Sequence, residues 1–352
     1  MKPSADITVP LDHLQRLTDC FGMIQHADYE DPDHSTGYTT DDNARALLVA
    51  VKHYHLHGDD VSRDLAGRYL AFLAYVQRED GRFHNFLDYD RRFLDEVGSE
   101  DSFGRTLWAL SYLLCHPPSD EMGKEAEWMF RRALPNIEHL ETPHGKAYSL
   151  IALYWWAKAR PREASLARKI ARALADDLVA DYNRHKRPDW EWILPQMTYA
   201  NAKLPEALFR AHQITSEEEY LQVARRAFDF LCEKTVRGGV LYVVGNEGWY
   251  RVGDHSPPVY DQQPIDAMAM VEAGLTAFDT TGEEEYLRCA QSSLEWFFGR
   301  NLRGESLYDP QTGGCFDGLT KAGVNANRGA ESTIALLVAH LSMLENSHIA
   351  PS

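Results

Sequence analysis

Cysteine is scarce in this chain and basic residues are outnumbered, and both shortages exclude classes of function. Five cysteines stand among 352 residues, Cys20, Cys115, Cys232, Cys289 and Cys315, an odd number without CxxC spacing. That pattern argues against a disulfide framework and a zinc site and reads as small core side chains. Acidic residues number 53 against 36 basic ones, a net charge of −17 with histidine neutral. Such a chain repels polyanions, so neither nucleic acid nor an anionic membrane is an expected partner, and a neutral or cationic small substrate suits it better. No apolar run reaches the roughly 18–20 residues that span a bilayer. Met1 to Pro10 lacks the basic-then-apolar order of a secretion signal, and the expected location is the cytoplasm. A phosphate-cradling Gly-rich loop is missing too, and Asp41-Asp42 has no matching second Asp-rich cluster, so neither a metal nor a cofactor is expected.

Hydrophobic residues make up 44% of the chain, enough for a large core. The plan is set by Gly37-Tyr38-Thr39-Thr40-Asp41-Asp42-Asn43-Ala44-Arg45, a polar loop that turns into an apolar helix running to about His57. A threonine or aspartate there caps the first turn, and the carboxylates sit at the positive end of the helix dipole. The design recurs at Ser99-Glu100-Asp101-Ser102-Phe103-Gly104-Arg105, at Thr142-Pro143-His144-Gly145, near Asn201, at Gln263-Pro264-Ile265-Asp266 and at Asn327-Arg328-Gly329-Ala330-Glu331. Apolar helices therefore start near residues 41, 101, 144, 200, 263 and 328.

Amphipathic stretches alternate with them: Leu11 to about Gly22, Val61 to Gln77, Glu121 to Leu140 with Pro135 as a kink or stop, Pro161 to Tyr182, Ser216 to Lys234, and Gly282 to Arg300. The last two begin as near copies, Glu-Glu-Glu-Tyr-Leu, 66 residues apart. Gly238 to Tyr250 reads as a short hairpin. Six buried helices alternating with six amphipathic ones predict an all-α, closed (α/α)6 toroid that occupies residues 1–352 as one domain, with that small β-hairpin as an insertion. The loops before the inner helices would gather at one mouth and build a funnel.

This plan, with its acidic inner-helix mouths, resembles the (α/α)6 carbohydrate-active proteins: glycoside hydrolases, unsaturated glucuronyl hydrolases and sugar 2-epimerases. The Gly-Tyr-Thr-Thr-Asp-Asp-Asn-Ala-Arg-Ala and Ser-Glu-Asp-Ser-Phe-Gly-Arg stretches are similar to a glycosidase-related helical family found appended to glycosyltransferases. The resemblance implies a glycan-active enzyme, an oligosaccharide or glycoside substrate, and association with glycosyltransferases. No histidine pair matches the one that sugar epimerases use for proton transfer. A glycoside hydrolase is the leading expectation, with a sugar isomerase, epimerase or lyase, or a non-catalytic glycan-binding module, as alternatives.

Four carboxylates are the catalytic candidates. Asp42 and Asp101 sit at helix N-termini that favour the ionised form and suit a base or nucleophile. Glu191 stands between Trp190 and Trp192 beside Asp189, where apolar indoles would raise its pKa towards that of a general acid and offer faces to a sugar. Glu247, in Asn-Glu-Gly-Trp-Tyr on the hairpin tip, is the second acid candidate, with turn formation as the plainer role. Arg45 and Arg105 would hold the carboxylates in place. Asp41, Asn43, Glu100, Trp249, Tyr260, Asp266 and Arg328 complete the expected substrate-binding set, and His144 and His255 read as surface or hydrogen-bonded residues.

Overall fold

The computed structural model describes residues 8–349. Residues 1–7, most of the stretch read for a secretion signal, and residues 350–352 lie outside the described residues, and so outside any test of the single-domain span 1–352. Six long helices form an inner ring: α2 (Thr40–His57), α4 (Glu100–Cys115), α6 (Pro143–Ala159), α8 (Lys203–Thr215), α10 (Pro264–Thr281) and α12 (Ala330–Ile349). Each packs on the next, and α12 closes on α2. Five outer helices, α3 (Asp60–Val76), α5 (Asp120–Ala133), α7 (Ala164–His185), α9 (Glu218–Thr235) and α11 (Glu284–Phe297), pack on the inner helices that precede them. The short α1 (Asp12–Arg16) fills the sixth outer place, against α12. This is the (α/α)6 toroid, and each inner helix starts within three residues of its expected position.

The caps are those the sequence offers. Thr39, Ser99 and Thr142 accept hydrogen bonds from the first-turn N–H groups of Asp42, Ser102 and Gly145. α10 is buried without interruption from Pro264 to Ala277, as a helix pressed between an outer layer and a filled ring must be. The outer helices bury one stripe: Leu65, Tyr69, Phe72, Leu73 and Val76 of α3 are all inaccessible or nearly so. Each such large apolar side chain contributes about 1.5–3 kcal/mol of burial.

Two stretches differ from expectation, and a third ends at its proline as expected. α1 stops at Arg16 instead of reaching Gly22, because the Asp19 carboxylate accepts from the N–H groups of Phe21 and Gly22 and turns the chain. α5 ends at Ala133, and Leu134–His139 continues as a tighter 3₁₀ turn because Pro135 cannot donate to the α ladder. The hairpin shrinks to Val236–Arg237 paired with Val240–Leu241 around Gly238-Gly239, while Tyr250–Arg251 pairs with Gln196–Met197 in the loop before α8. None of the described helices is long and apolar enough to cross a membrane.

The ring is plugged halfway along. Lys203, fully buried, donates from Nζ to Glu206 at 2.8 Å and to Glu272 at 2.5 Å, and lies 4.3 Å from the ring centre of Trp108. Beyond the plug, at the C-terminal ends of the inner helices, is a cavity of about 260 Å³. Two of its cations meet carboxylates, Lys52 with Glu345 at 2.6 Å, which also accepts from the Tyr112 hydroxyl, and Arg210 with Asp279 at 3.5 Å, while Lys158 lies 5.0 Å from the ring centre of Trp155.

Candidate active site

The N-terminal ends of the inner helices bring Asp41, Asp42, Arg45, Asp101, Arg105 and Asp266 to one mouth, as their places in the first two turns of α2, α4 and α10 require. Arg45, buried, is the hub. Its Nη2 donates to Asp42 Oδ1 at 3.0 Å and to Glu331 Oε2 of α12 at 3.1 Å, and its Nε lies 3.3 Å from Asp41 Oδ1. Arg105 donates from Nη1 to Asp41 Oδ2 and stacks its guanidinium 4.8 Å from the ring centre of Tyr148. Two arginines thus hold three carboxylates from the two ends of the ring closure.

The two adjacent aspartates are driven apart in acidity. Burial would raise Asp41, but the charges and hydrogen bonds of Arg105 and Arg45 overcome it and hold the carboxyl below its ordinary value. Burial pushes Asp42 up to about 7, opposed by Arg45 and reinforced by the charges of Asp41 and Glu331. Asp42 Oδ2 also accepts from Thr39 Oγ1 at 2.6 Å. Asp41 keeps 23% of its side chain accessible and Glu331 45%, so both reach solvent at this mouth.

A second cluster sits beside it on α4, α6 and the loop before α8. The Tyr199 hydroxyl donates to Asp101 Oδ2 at 2.6 Å, and its ring stacks on His144 with centroids 4.6 Å apart. The His144 ring donates from Nε2 to the Tyr199 carbonyl at 3.0 Å. Burial lowers His144 and raises Tyr199, the latter aided by the Asp101 charge, so both are held neutral. The Tyr148 hydroxyl is buried without a partner. Asp266 is raised to about 8, chiefly by burial and against backbone hydrogen bonds from Asn201 and Ala200, and its Oδ2 has no partner. Ala200, at φ 45°, occupies the left-handed region that orients this turn.

Other expected site residues are placed elsewhere. Trp190 and Trp192 are 1% and 0% accessible, packed into the wall with Phe230 and Tyr250 around Trp190, and offer no face to a sugar. Glu191 turns the other way, accepting from the Tyr182 hydroxyl on outer helix α7. The physical reason is alternation: in an extended segment i and i+2 share a side, so burying both indoles directs the residue between them away from them. The indole-shielded acid expected at Glu191 is therefore not built, and Asp189 is an exposed turn residue.

Glu247 is exposed on the turn after Asn246, 3.3 Å from Lys321, and its backbone N–H bonds to the Tyr260 carbonyl; Trp249, at φ 53°, and Tyr260 are half-buried beside it. Glu100 is consumed by the next helix, accepting from the N–H groups of Glu141 and Thr142 and from the Thr142 hydroxyl. Asn43 is likewise used up, bonding Met23 and Thr39 backbone groups. Arg328 pairs with Asp309 at 2.9 Å and packs over Phe316.

Glu331, Tyr199 and Tyr148 are the groups that the sequence reading left without a role. Glu331 had a signal, being an acidic residue in the first turn of an inner helix like Asp41 and Asp101. Tyr199 had none, since its partner lies 98 residues away.

A family model, that of the D-glucuronyl C5-epimerase C-terminus, matches residues 192–260, a minor part of the chain. No curated protein matches. Among solved structures, a sugar epimerase from a ruminal bacterium superposes with a TM-score of 0.74 at 15% identity, over 100% of this chain and 98% of that one. A family 76 α-mannanase from Bacteroides thetaiotaomicron gives 0.67 at 10% identity, over 96% and 94%. An α-1,6-mannanase from Salegentibacter, in a variant described as inactive with two consecutive aspartates changed to asparagine and bound to α-1,6-mannotriose, gives 0.57 at 14%, over 95% and 96%. At these identities the likeness is one of fold: the chain has the toroid of these carbohydrate-active enzymes.

Proposed function

We propose that the protein is a glycan-active enzyme that cleaves a glycosidic bond in a neutral glycan, with Asp41 and Asp42 as the working pair. The observation that carries this reading is the opposed acidity of the two neighbours: Asp41 held ionised by two arginines, Asp42 raised to about 7. One carboxylate that stays charged and one that keeps its proton near neutrality are the groups that glycoside hydrolysis needs, for attack or water activation and for protonating the departing oxygen. Glu331 and Asp101 are acceptors for sugar hydroxyls in this scheme. The Salegentibacter mannanase supports it, since the variant of that enzyme with two consecutive aspartates changed to asparagine is inactive, and Asp41-Asp42 are the consecutive aspartates at this mouth. Aglycone or acceptor contacts fall to the loop of Glu247, Trp249 and Tyr260. Association with glycosyltransferases and a cytoplasmic location belong to the same proposal and rest on the family resemblance and on composition.

A second reading has its own observation. The Tyr199, Asp101 and His144 cluster is a proton-handling arrangement, and Tyr199 falls within the residues matched by the epimerase model. It favours an epimerase or isomerase.

One experiment separates them. The chain and its Asp41→Asn and Asp42→Asn variants are incubated with nitrophenyl glycosides and neutral oligosaccharides, and in parallel with free sugars in D₂O. Cleavage of neutral oligosaccharides by the wild type that falls about 10²–10⁴-fold in both variants, with unchanged circular dichroism and, for Asp42→Asn, a much smaller loss on nitrophenyl glycosides, whose leaving group needs no proton, supports hydrolysis. Deuterium uptake at a sugar carbon without any cleavage overturns it in favour of the second reading.

A further inference from the structure

Outside the funnel, the seam between outer helices α9 and α11 holds two sulfurs in contact. Cys232 Sγ of α9 and Cys289 Sγ of α11 are 3.4 Å apart. The rest of the seam fixes the two helices in register: the Tyr286 hydroxyl donates to Asp229 at 2.9 Å, and Arg225 pairs with Glu283 at 2.6 Å. A groove of about 830 Å³ opens along it, lined by both cysteines. Cys232 is half-buried there and Cys289 is buried.

We propose that Cys232 and Cys289 form a modification site, a reversible disulfide made by exchange with a small-molecule disulfide that enters through this groove. The accessible Cys232 thiolate attacks one sulfur of the oxidant, releasing one small thiol and leaving a mixed disulfide on Cys232. Cys289 then loses its proton and attacks the Cys232 sulfur, releasing the second small thiol and closing the protein bond. The two cysteines are oxidised by two electrons, the small disulfide is reduced to two thiols, and no other reactant is needed. Closing the gap to the 2.03–2.05 Å of a disulfide takes a shift of about 1.4 Å, shared between two side chains already in contact.

Hydrogen bonding to Cys289 and burial hold the Cys232 thiol above its ordinary value, and the carboxylates of Asp229 on α9 and Glu285 on α11 add to this. Oxidation is therefore slow at neutral pH and faster in mild alkali. The bond would tie together the helices from which the mouth loops 236–263 and 298–329 spring, where small core cysteines would merely fill space.

The test uses the full chain carrying Cys20→Ser, which removes an exposed thiol. It is incubated with oxidised glutathione at pH 8.5, alkylated under denaturing conditions and digested for mass spectrometry. Expected are two fewer free thiols, a Cys232–Cys289 cross-linked peptide that dithiothreitol abolishes, and a rise in Tm of a few degrees. In a chain that also carries Cys289→Ser, the reaction should stop at glutathione on Cys232. An unchanged thiol count, a cross-link through other cysteines, or glutathione that persists on Cys232 while Cys289 is present would each overturn the proposal.

Discussion

The two ends of the ring use the same residue types in opposite ways. At the C-terminal end each carboxylate that meets a cation has one to itself, Lys52 with Glu345 and Arg210 with Asp279, while Lys158 lies over Trp155, above the plug in which Lys203 joins Glu206 and Glu272. At the N-terminal end, two arginines are shared among three carboxylates, and the balance is left uneven enough that Asp41 falls and Asp42 rises in pKa. Matched pairs fix structure and leave no group ready to exchange a proton. Unmatched ones are how a protein sets up acid and base chemistry.

The largest effect that would sharpen this contrast is expected at the plug. Lys203→Met leaves Glu206 and Glu272 buried without their cation, and should cost about 3–5 kcal/mol of stability by urea denaturation. A variant that melts within one degree of the wild type would show that the plug does not hold the ring together.

Next comes the pH dependence of stability at the mouth. Asp42 holds its proton in the folded chain up to about 7, against an ordinary value of 3.8. The folded state binds that proton more tightly than the unfolded one, so stability falls as pH rises from about 4 through about 7. Asp42→Asn cannot ionise, so the melting temperature of the variant relative to the wild type should climb over that window and level off above it. Asp266, raised to about 8 by burial, adds a second decline that starts at the same pH and runs on to about 8, which Asp266→Asn should remove. Parallel melting curves for wild type and Asp42→Asn from pH 4 to 8 would break the comparison, because Asp42 would then be an ordinary ion-pair member.

The smallest effect belongs to the base. Asp279 is 56% accessible and 3.5 Å from Arg210, so Asp279→Asn should change stability by less than about 1 kcal/mol and leave turnover untouched. A tenfold loss of activity would move chemistry to the wrong end of the ring.

Much of this was legible in the sequence because helices declare themselves by local period and by caps. Thr39, Ser99 and Thr142 mark starts that the structure keeps, and Pro135 marks the stop of α5. What local pattern could not give is which polar groups the packing would consume. Asn43 and Glu100 look like free site residues until the chain segments they tie down, Met23 and Glu141-Thr142, are brought beside them. Glu191 departs from its expected place for another reason: indoles that flank it in sequence are buried in the wall and do not flank it in space. The Arg45–Asp42 pair is local, three residues apart on one helix, whereas the meeting of Arg45 with Glu331 is a fact of ring closure and has no local trace.

That convergence has a kinetic side. Arg45 and Glu331 are separated by 286 positions, and the bond between them forms only when α12 docks against α2. Closing so long a loop is among the slow steps available to a chain of this topology. A partly folded ring that has all its helices but lacks this last contact would carry Asp41, Asp42 and Arg45 in an open seam, with water on the side that Glu331 should cover. If the mouth carries the activity proposed for it, refolding followed by activity should therefore lag behind refolding followed by helix content, since the Arg45–Glu331 contact exists only in the closed circle.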